Sequence, residues 1–358
     1  MDDLQGWRKA LWPEWTVDSE LGSGSFGHVY KIKRTDIGGT YYAALKVLSV
    51  PTAEEVKNMM ATEAPDQILS NIEGFAKDLS REFAVMERLK GHTNIVSYED
   101  HKIVAREDGI GWYVLIRMEL LTPMMEHLNR TGCPQSEVIR VGCDICDALI
   151  LCQREHIIHR DIKPANIFIS HYGSYKLGDF GIALNATPGW GERSARGTYP
   201  YMAPEVFLGK AYDGTVDIYA LGLILYRLLN YGRAPFLPMP PEPLNSAMVE
   251  NSHRLRMAGE KMPPPAKASP ALAAVILKAC AFAPGDRYRS ALDMKRDLER
   301  CLPERRPDSV PTARFAAIRE PAPEATRVVP MAPLKPDEES LTKKKARMGG
   351  IFTAAGDL

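Results

Sequence analysis

His159-Arg160-Asp161-Ile162-Lys163-Pro164-Ala165-Asn166 packs a base, two cations and an amide into eight residues. At roughly 5% usage per residue type, these five polar residues at these offsets arise by chance on the order of once in ten thousand chains of this size. A polar surface turn is therefore a poor account of the stretch. The combination suits phosphoryl transfer. An aspartate that accepts a hydroxyl proton, a lysine that steadies the migrating oxygens and an asparagine that holds a metal ion must converge on one small volume. A short loop between two rigid elements can bring them there.

The chain on either side of this loop supplies elements to hold it. Residues 15–33 alternate apolar and polar side chains around Gly22-Ser23-Gly24-Ser25-Phe26-Gly27-His28-Val29, which predicts a hairpin. A lone G-x-G-x-x-G is weak, arising by chance in roughly one chain in ten of this length. Here it lies between two strands instead of opening a helix, which argues against a dinucleotide-binding turn. Glycines in such a loop let the backbone approach phosphates and aim its amides at them. Residues 41–48 form a nearly continuous apolar run interrupted by Lys46, so a buried strand carries a cation that needs a partner.

Over 65–90, apolar residues such as Ile68, Ile72, Leu79, Phe83 and Met86 recur with a helical period that Gly91 ends. Glu82 lies at the edge of that stripe and faces inward, while Glu73 and Glu87 sit further round, so Glu82 is the expected partner of Lys46. Before this helix, Thr52-Ala53-Glu54-Glu55 has the form of a capping box opening an extra turn or two of helix. That insertion reads either as plain elaboration or as a regulatory handle or dimer surface. Residues 92–104 and 112–120 read as further strands. Val138, Val141, Ile145, Leu149 and Cys152 form one apolar helix face leading to His159, and Ile167-Phe168-Ile169 opens a hairpin closed near Tyr172-Gly173.

Taken together, these motifs resemble those of the eukaryotic-like (Hanks-type) serine/threonine protein kinases over residues 15–302. Lys163-Pro164-Ala165-Asn166 matches their serine/threonine branch, Asp179-Phe180-Gly181 matches D-F-G, and the Lys46 strand resembles V-A-I-K. The stretch 197–205, ending Ala203-Pro204-Glu205, resembles the substrate-docking end of the activation segment, and 279–288 matches the late arginine motif. The wording of the motifs looks more like bacterial members than animal ones.

The resemblance implies an α+β, bilobal protein-kinase fold: a small antiparallel β-sheet lobe with one main helix at 15–118, and a larger, mostly helical lobe at 119–302. Residues 1–14 are an extension whose Trp7 and Trp12 pack on the small lobe. The implied activity is transfer of the ATP γ-phosphoryl group to serine or threonine hydroxyls of protein substrates, with magnesium as the metal. A homodimer phosphorylating its own activation segment belongs to the same expectation.

The implied roles follow the motifs. Leu21, Gly22, Gly24, Gly27 and Val29 cover the nucleotide; Ala44 lies over the adenine and Phe168 under it. Met118 is the gatekeeper, and the backbones of Glu119 and Leu121 bond the adenine. Lys46, held by Glu82, contacts the α and β phosphates, while Asn166 and Asp179 hold magnesium. Asp161 is the proton acceptor and Lys163 steadies the transferred group. Asp217 is expected to hold the catalytic-loop backbone, Arg287 to pair with Glu205, and Thr198 to contact Asp161 and Lys163. Because Arg160 precedes the aspartate, a cation is available for a phosphate on the activation segment, with Thr187, Ser194 and then Thr198 as acceptors; a loop ordered without phosphate is the alternative.

Two rival readings make different demands. A pseudokinase scaffold calls for loss of at least one of Lys46, Asp161 or Asp179, and all three are present. A small-molecule kinase of related fold would lack the glycine-rich pattern and the docking segment. Ala165 carries no carboxylate where some basic-substrate kinases have one, which argues against arginine-directed specificity.

Composition sets the outer limits. At 358 residues the chain can build two lobes with a sizeable core. Its formal net charge of zero offers no argument for nucleic acid. The six cysteines fall mostly at apolar helix positions without paired metal or disulfide spacing, and Cys143-Asp144-Ile145-Cys146 is a C-x-x-C with no partner pair. The start Met1-Asp2-Asp3-Leu4 is acidic, so no secretory leader is expected. The longest apolar run, 220–229, is about half a membrane span and contains Arg227. A cytoplasmic protein is the expectation. From Pro303 eight prolines fall within 34 residues, followed by Lys343-Lys344-Lys345-Ala346-Arg347, so 303–358 is expected to be a disordered tail. It reads as solvated or as a basic contact for acidic lipid or a partner.

Overall fold

In the computed structural model, residues 6–24, 27–62, 67, 74, 83–107, 111–180 and 199–302 are described. Five strands form one antiparallel sheet in the order β1-β2-β3-β5-β4: Thr16–Gly24, Gly27–Asp36, Gly39–Val50, Trp112–Glu119 and Tyr98–Ala105. The run that includes Lys46 is β3, at the centre of this sheet. Its alternate side chains serve two cores, as a strand covered on both faces must. Ala43, Leu45 and Val47 join Trp7, Trp12, Trp15, Tyr30 and Leu115 on one face. Leu48 and Val50 join Met59, Tyr98, Val114 and Ile116 on the other.

The extension before β1 belongs to the first of these cores. A 3-10 turn over Gly6–Ala10 buries Trp7 completely, with its ring 5.0 Å from that of Tyr30. Trp12 Nε1 donates to Asp100 Oδ2 at 2.8 Å, which ties the extension to β4. The insertion after β3 contains helix α1 (Ala53–Thr62), longer than the extra turn or two its capping box suggested. The Val56 amide bonds the Thr52 carbonyl at 3.0 Å as the helix starts.

One strand is shorter than its sequence suggests. Residues 92–104 read as one strand throughout, yet β4 begins at Tyr98. Residues 94–96 instead bond the hairpin of the large lobe: Val96 N donates to Leu177 O, Leu177 N to Asn94 O, and Asn94 Nδ2 to Tyr175 O. Backbone groups satisfied by the other lobe are not available to extend a ladder with β5.

In the large lobe, α2 (Met124–Thr131) and α3 (Gln135–Arg154) precede the catalytic loop, and Thr122–Pro123 (β6), Ile167–Ile169 (β7) and Tyr175–Leu177 (β8) form a second small sheet. The expected apolar face of α3 is buried at Val138, Val141, Ile145, Leu149 and Cys152. After the short α4 (Pro204–Phe207), helix α5 (Thr215–Leu228) is buried on all sides from Thr215 to Tyr226, which makes it the axis of this lobe. Helices α6 (Ser246–Met257), α7 (Pro270–Ala279) and α8 (Ala291–Arg300) complete the lobe; Ser269 and Ser290 cap α7 and α8 by accepting amide hydrogen bonds. Among the described residues, no helix is long and apolar enough to cross a membrane. Glu82, the acceptor candidates Thr187, Ser194 and Thr198, and the tail 303–358 lie outside the described residues.

Candidate active site

The first turn of α5 holds the catalytic loop. Asp217 Oδ2 accepts from the His159 amide at 2.8 Å and Oδ1 from the Arg160 amide at 2.9 Å. Burial pushes the Asp217 carboxyl above its ordinary range, opposed by His159 and by these two amide bonds. Arg160 between them has φ 66°, a left-handed conformation that a non-glycine residue adopts at a cost and that the two anchors enforce. The Asp161 amide donates to His159 Nδ1 at 3.3 Å, so the ring proton lies on Nε2 and is donated to the Gly178 carbonyl at 3.1 Å. The histidine thereby joins the catalytic loop to the residue before Asp179. Its ring meets Phe180 edge-on at 4.7 Å.

Two charged clusters result. Asp161 is held by Lys163 Nζ at 2.8 Å and by Asn166 Nδ2 at 3.0 Å, and the same Nδ2 donates to the Asp161 carbonyl at 2.8 Å. Across from them Lys46, 9% exposed, pairs with Asp179. Burial works to raise the Asp179 carboxyl, but Lys46, helped by His159 and Lys163, outweighs it and holds the group below the ordinary carboxylate range.

Lys46, Lys163, Asn166 and Asp179 line one cleft of about 1340 Å³. Its walls are apolar at Leu21, Val29, Ala44, Met118, Leu121 and Phe168, with Gly22 and Gly27 at the hairpin. The cleft thus joins an apolar stretch of wall to the charged groups of Lys46, Lys163 and Asp179. At Gly27, φ is 136° and a Cβ would sit 2.1 Å from the Val47 carbonyl oxygen, so a larger residue would push the hairpin off β3. At Gly178 a Cβ would fall 2.7 Å from Val96 Cγ2 and 3.1 Å from the Phe168 ring, which keeps that floor against the first lobe.

The connection between lobes has a latch that sequence reading did not find. Glu119 Oε1, at the end of β5, accepts from the Ser97 amide at 2.5 Å and from Lys176 Nζ at 2.7 Å, while the Glu119 amide donates to Ser97 O at 3.1 Å. One carboxylate thus spans the small lobe and β8. No local pattern pairs two residues 57 apart in the chain.

Beyond the cleft, three arginines grip the stretch after residue 198. Arg287 and Glu205 form the expected pair, with Nη1 to Oε1 at 2.6 Å and Nη2 to Oε2 at 2.7 Å. Arg256 Nη1 reaches the Met202 carbonyl at 3.0 Å, and Arg227 Nη1 the Tyr201 hydroxyl at 3.0 Å. These last two contacts carry no sequence signal beyond an arginine on a helix.

The expected nucleotide-site residues therefore come together, Asp161 through its bonds to Lys163 and Asn166. Gly24 lies opposite Gly27 across the hairpin. Glu82 is outside the described residues, and the carboxylate that meets Lys46 among those described is Asp179. The C-x-x-C offers nothing reactive: burial pushes the Cys143 thiol up to about 12 and that of Cys146 well above its usual value. No group of three metal-ligating side chains occurs among the described residues, so a dedicated protein-only metal cage is not part of what is described.

With this geometry in hand, comparison with known proteins is informative. Residues 15–297 match the family model described as a protein kinase domain. The chain is 32% identical over 337 residues to the serine/threonine-protein kinase Pkn1 of Myxococcus xanthus, covering 91% of this chain and 44% of that protein. It is 34% identical over 211 residues to the serine/threonine-protein kinase PrkC of Bacillus subtilis, covering 58% and 31%. An Aurora kinase of Dictyostelium discoideum is 31% identical over 234 residues, covering 62% and 53%. The chain spans about half the length, or less, of these curated relatives.

Proposed function

This chain belongs to the protein kinase domain family, and from that premise we propose that it transfers the γ-phosphoryl group of ATP to serine or threonine hydroxyls of protein substrates. One observation carries the reading: Lys46, Lys163, Asn166 and Asp179 line a single cleft with apolar walls at Leu21, Val29, Ala44, Met118, Leu121 and Phe168, and Asp161 is bonded to two of them, Lys163 and Asn166. Arg130 and Arg140, which also line it, are not needed for that chemistry, and Arg140 is paired with Glu137.

The apolar walls suit an adenine ring, with Ala44 over it, Phe168 under it, Met118 as gatekeeper and the backbones of Glu119 and Leu121 to bond it. Lys46 is buried and cationic, fitted to neutralise phosphate oxygens. Asp161 is the acceptor of the substrate hydroxyl proton. Lys163 and Asn166 fix its carboxylate so that no reorientation is needed when the proton moves. Lys163 also places a positive charge beside the oxygens of the group in transit.

The donor set also fits a magnesium ion. Asp179 supplies carboxylate oxygens, and Asn166, whose Nδ2 is committed to Asp161, offers Oδ1; both are hard oxygen ligands. When bound, the ion would neutralise charge on the β and γ phosphates.

The test is a radiolabel assay with ATP, generic protein substrates and small-molecule acceptors side by side. Wild type is expected to label protein, and Asp161→Ala to lose on the order of a hundred- to ten-thousand-fold in turnover. Near-normal turnover by that variant, or transfer confined to small molecules, would overturn the reading.

A further inference from the structure

Helix α5 carries a functional contact at each end. Asp217 in its first turn holds the backbone of the catalytic loop, and Arg227 in its last turn holds Tyr201. Ten residues of α-helix separate them, about 15 Å. An extended peptide rises about 3.3 Å per residue. Asp217 anchors the loop that carries Asp161, so a substrate running from Asp161 toward the far end of α5 covers a span of that length in about five residues.

The guanidinium at that place is not neutralised. Arg287 has Glu205, Lys163 has Asp161, Lys46 has Asp179 and Lys176 has Glu119. Arg227 instead spends Nε on the Gly232 carbonyl at 3.1 Å and Nη1 on the Tyr201 hydroxyl at 3.0 Å, with its plane 5.2 Å from the Tyr201 ring. Among the described residues no carboxylate pairs with it, and Nη2 makes no hydrogen bond. The side chain is half-buried against a tyrosine that is 9% exposed, so its direction is set by packing and not by solvent. A planar fork with free N–H groups at Nη2, held by its packing on Tyr201, is built to take a carboxylate. In the catalytic loop the Asp161 carboxylate is paired with Lys163, and Ala165 lines the cleft with a methyl group and adds no further carboxylate. Of the carboxylates that do line it, Glu119 and Asp179 are paired, and Glu126 shares α2 with Arg130.

We propose that Arg227 binds an aspartate or glutamate side chain of the protein substrate, and that the preferred substrates are acidic within about five residues of the phosphorylated hydroxyl. This rests on the kinase reading above and adds the substrate class to it. Tyr201 is the positioning residue: its ring and hydroxyl hold the guanidinium so that the fork is presented and not solvated at random.

The experiment uses the full chain, ATP and a set of serine peptides that carry glutamate, glutamine or lysine at each position flanking the acceptor. In wild type, at least one position is expected to favour glutamate over glutamine by roughly tenfold in kcat/KM, mainly through KM, and over lysine by more, as a charge-assisted pair predicts. In Arg227→Gln that ratio should fall to near one at that position alone. Arg227→Glu should reverse it in favour of lysine, and Arg227→Lys should restore part of it. The wild-type profile stands without any variant, so misfolding of a variant does not rescue the idea. Robust transfer with a flat profile, or a glutamate preference that persists in Arg227→Glu, overturns the acidic-substrate proposal and leaves the kinase reading intact. No transfer to any peptide or protein overturns the kinase reading and this proposal with it.

Discussion

Replacing Glu205 by alanine is expected to be among the most damaging single changes in the large lobe. The Arg287 side chain is 0% exposed and that of Glu205 5%, so neither charge has water to fall back on. Arg287 also donates to the carbonyls of Ala281 at 2.8 Å and Phe282 at 3.0 Å. In Glu205→Ala the guanidinium keeps those two bonds and loses both carboxylate bonds, leaving a buried cation uncompensated. Such losses cost about 3–5 kcal/mol. At roughly 2 °C per kcal/mol, the coefficient suited to a domain at the large end of the range, melting should fall by roughly 6–10 °C. Circular dichroism melting of wild type, Glu205→Ala, Arg287→Met and the double variant Glu205→Met/Arg287→Met tests the cause. If the unpaired charge is what hurts, the double variant is more stable than either single one, because packed apolar side chains replace both ions. A double variant as unstable as the sum of the singles would show that geometry of the docking segment, not charge, sets the cost.

Two further outcomes follow from the small lobe and from the cleft. Trp7→Ala should destabilise by about 3–5 kcal/mol despite lying outside the span of the family match, since the indole is fully buried against Tyr30; chemical denaturation would show it, and a change below about 1 kcal/mol would mean the extension packs only loosely. The Asp179 carboxyl is held below its ordinary value, so the Lys46 pair stabilises the fold above the unfolded value near 3.9 and loses that contribution as pH falls through the lower, folded one. The acid limb of melting temperature against pH should accordingly be shallower in Asp179→Asn than in wild type, and an unchanged limb would refute the pairing.

Much of this protein was legible in one dimension, because short-range rules act along the chain. A nearly continuous apolar run with one cation read as a buried strand carrying Lys46, and a period of 3.6 found α3 and its buried face. The resemblance to the kinases implied that Asp217 holds the catalytic-loop amides and that Arg287 pairs with Glu205, and both contacts are present. The strand expected from residue 92 starts only at Tyr98, because backbone bonds between 94–96 and β8 took groups a longer β4 would have used.

Partners of charged side chains were a different matter. That Lys46 meets Asp179, that Glu119 joins Ser97 to Lys176, and that Arg227 lies on Tyr201 with no carboxylate partner among the described residues were decided only when the elements packed. Periodicity says which face of an element is buried; it does not say which distant element covers that face. An ion pair between residues 133 positions apart is written in the packing of β3 against the catalytic hairpin, and in no window of the chain.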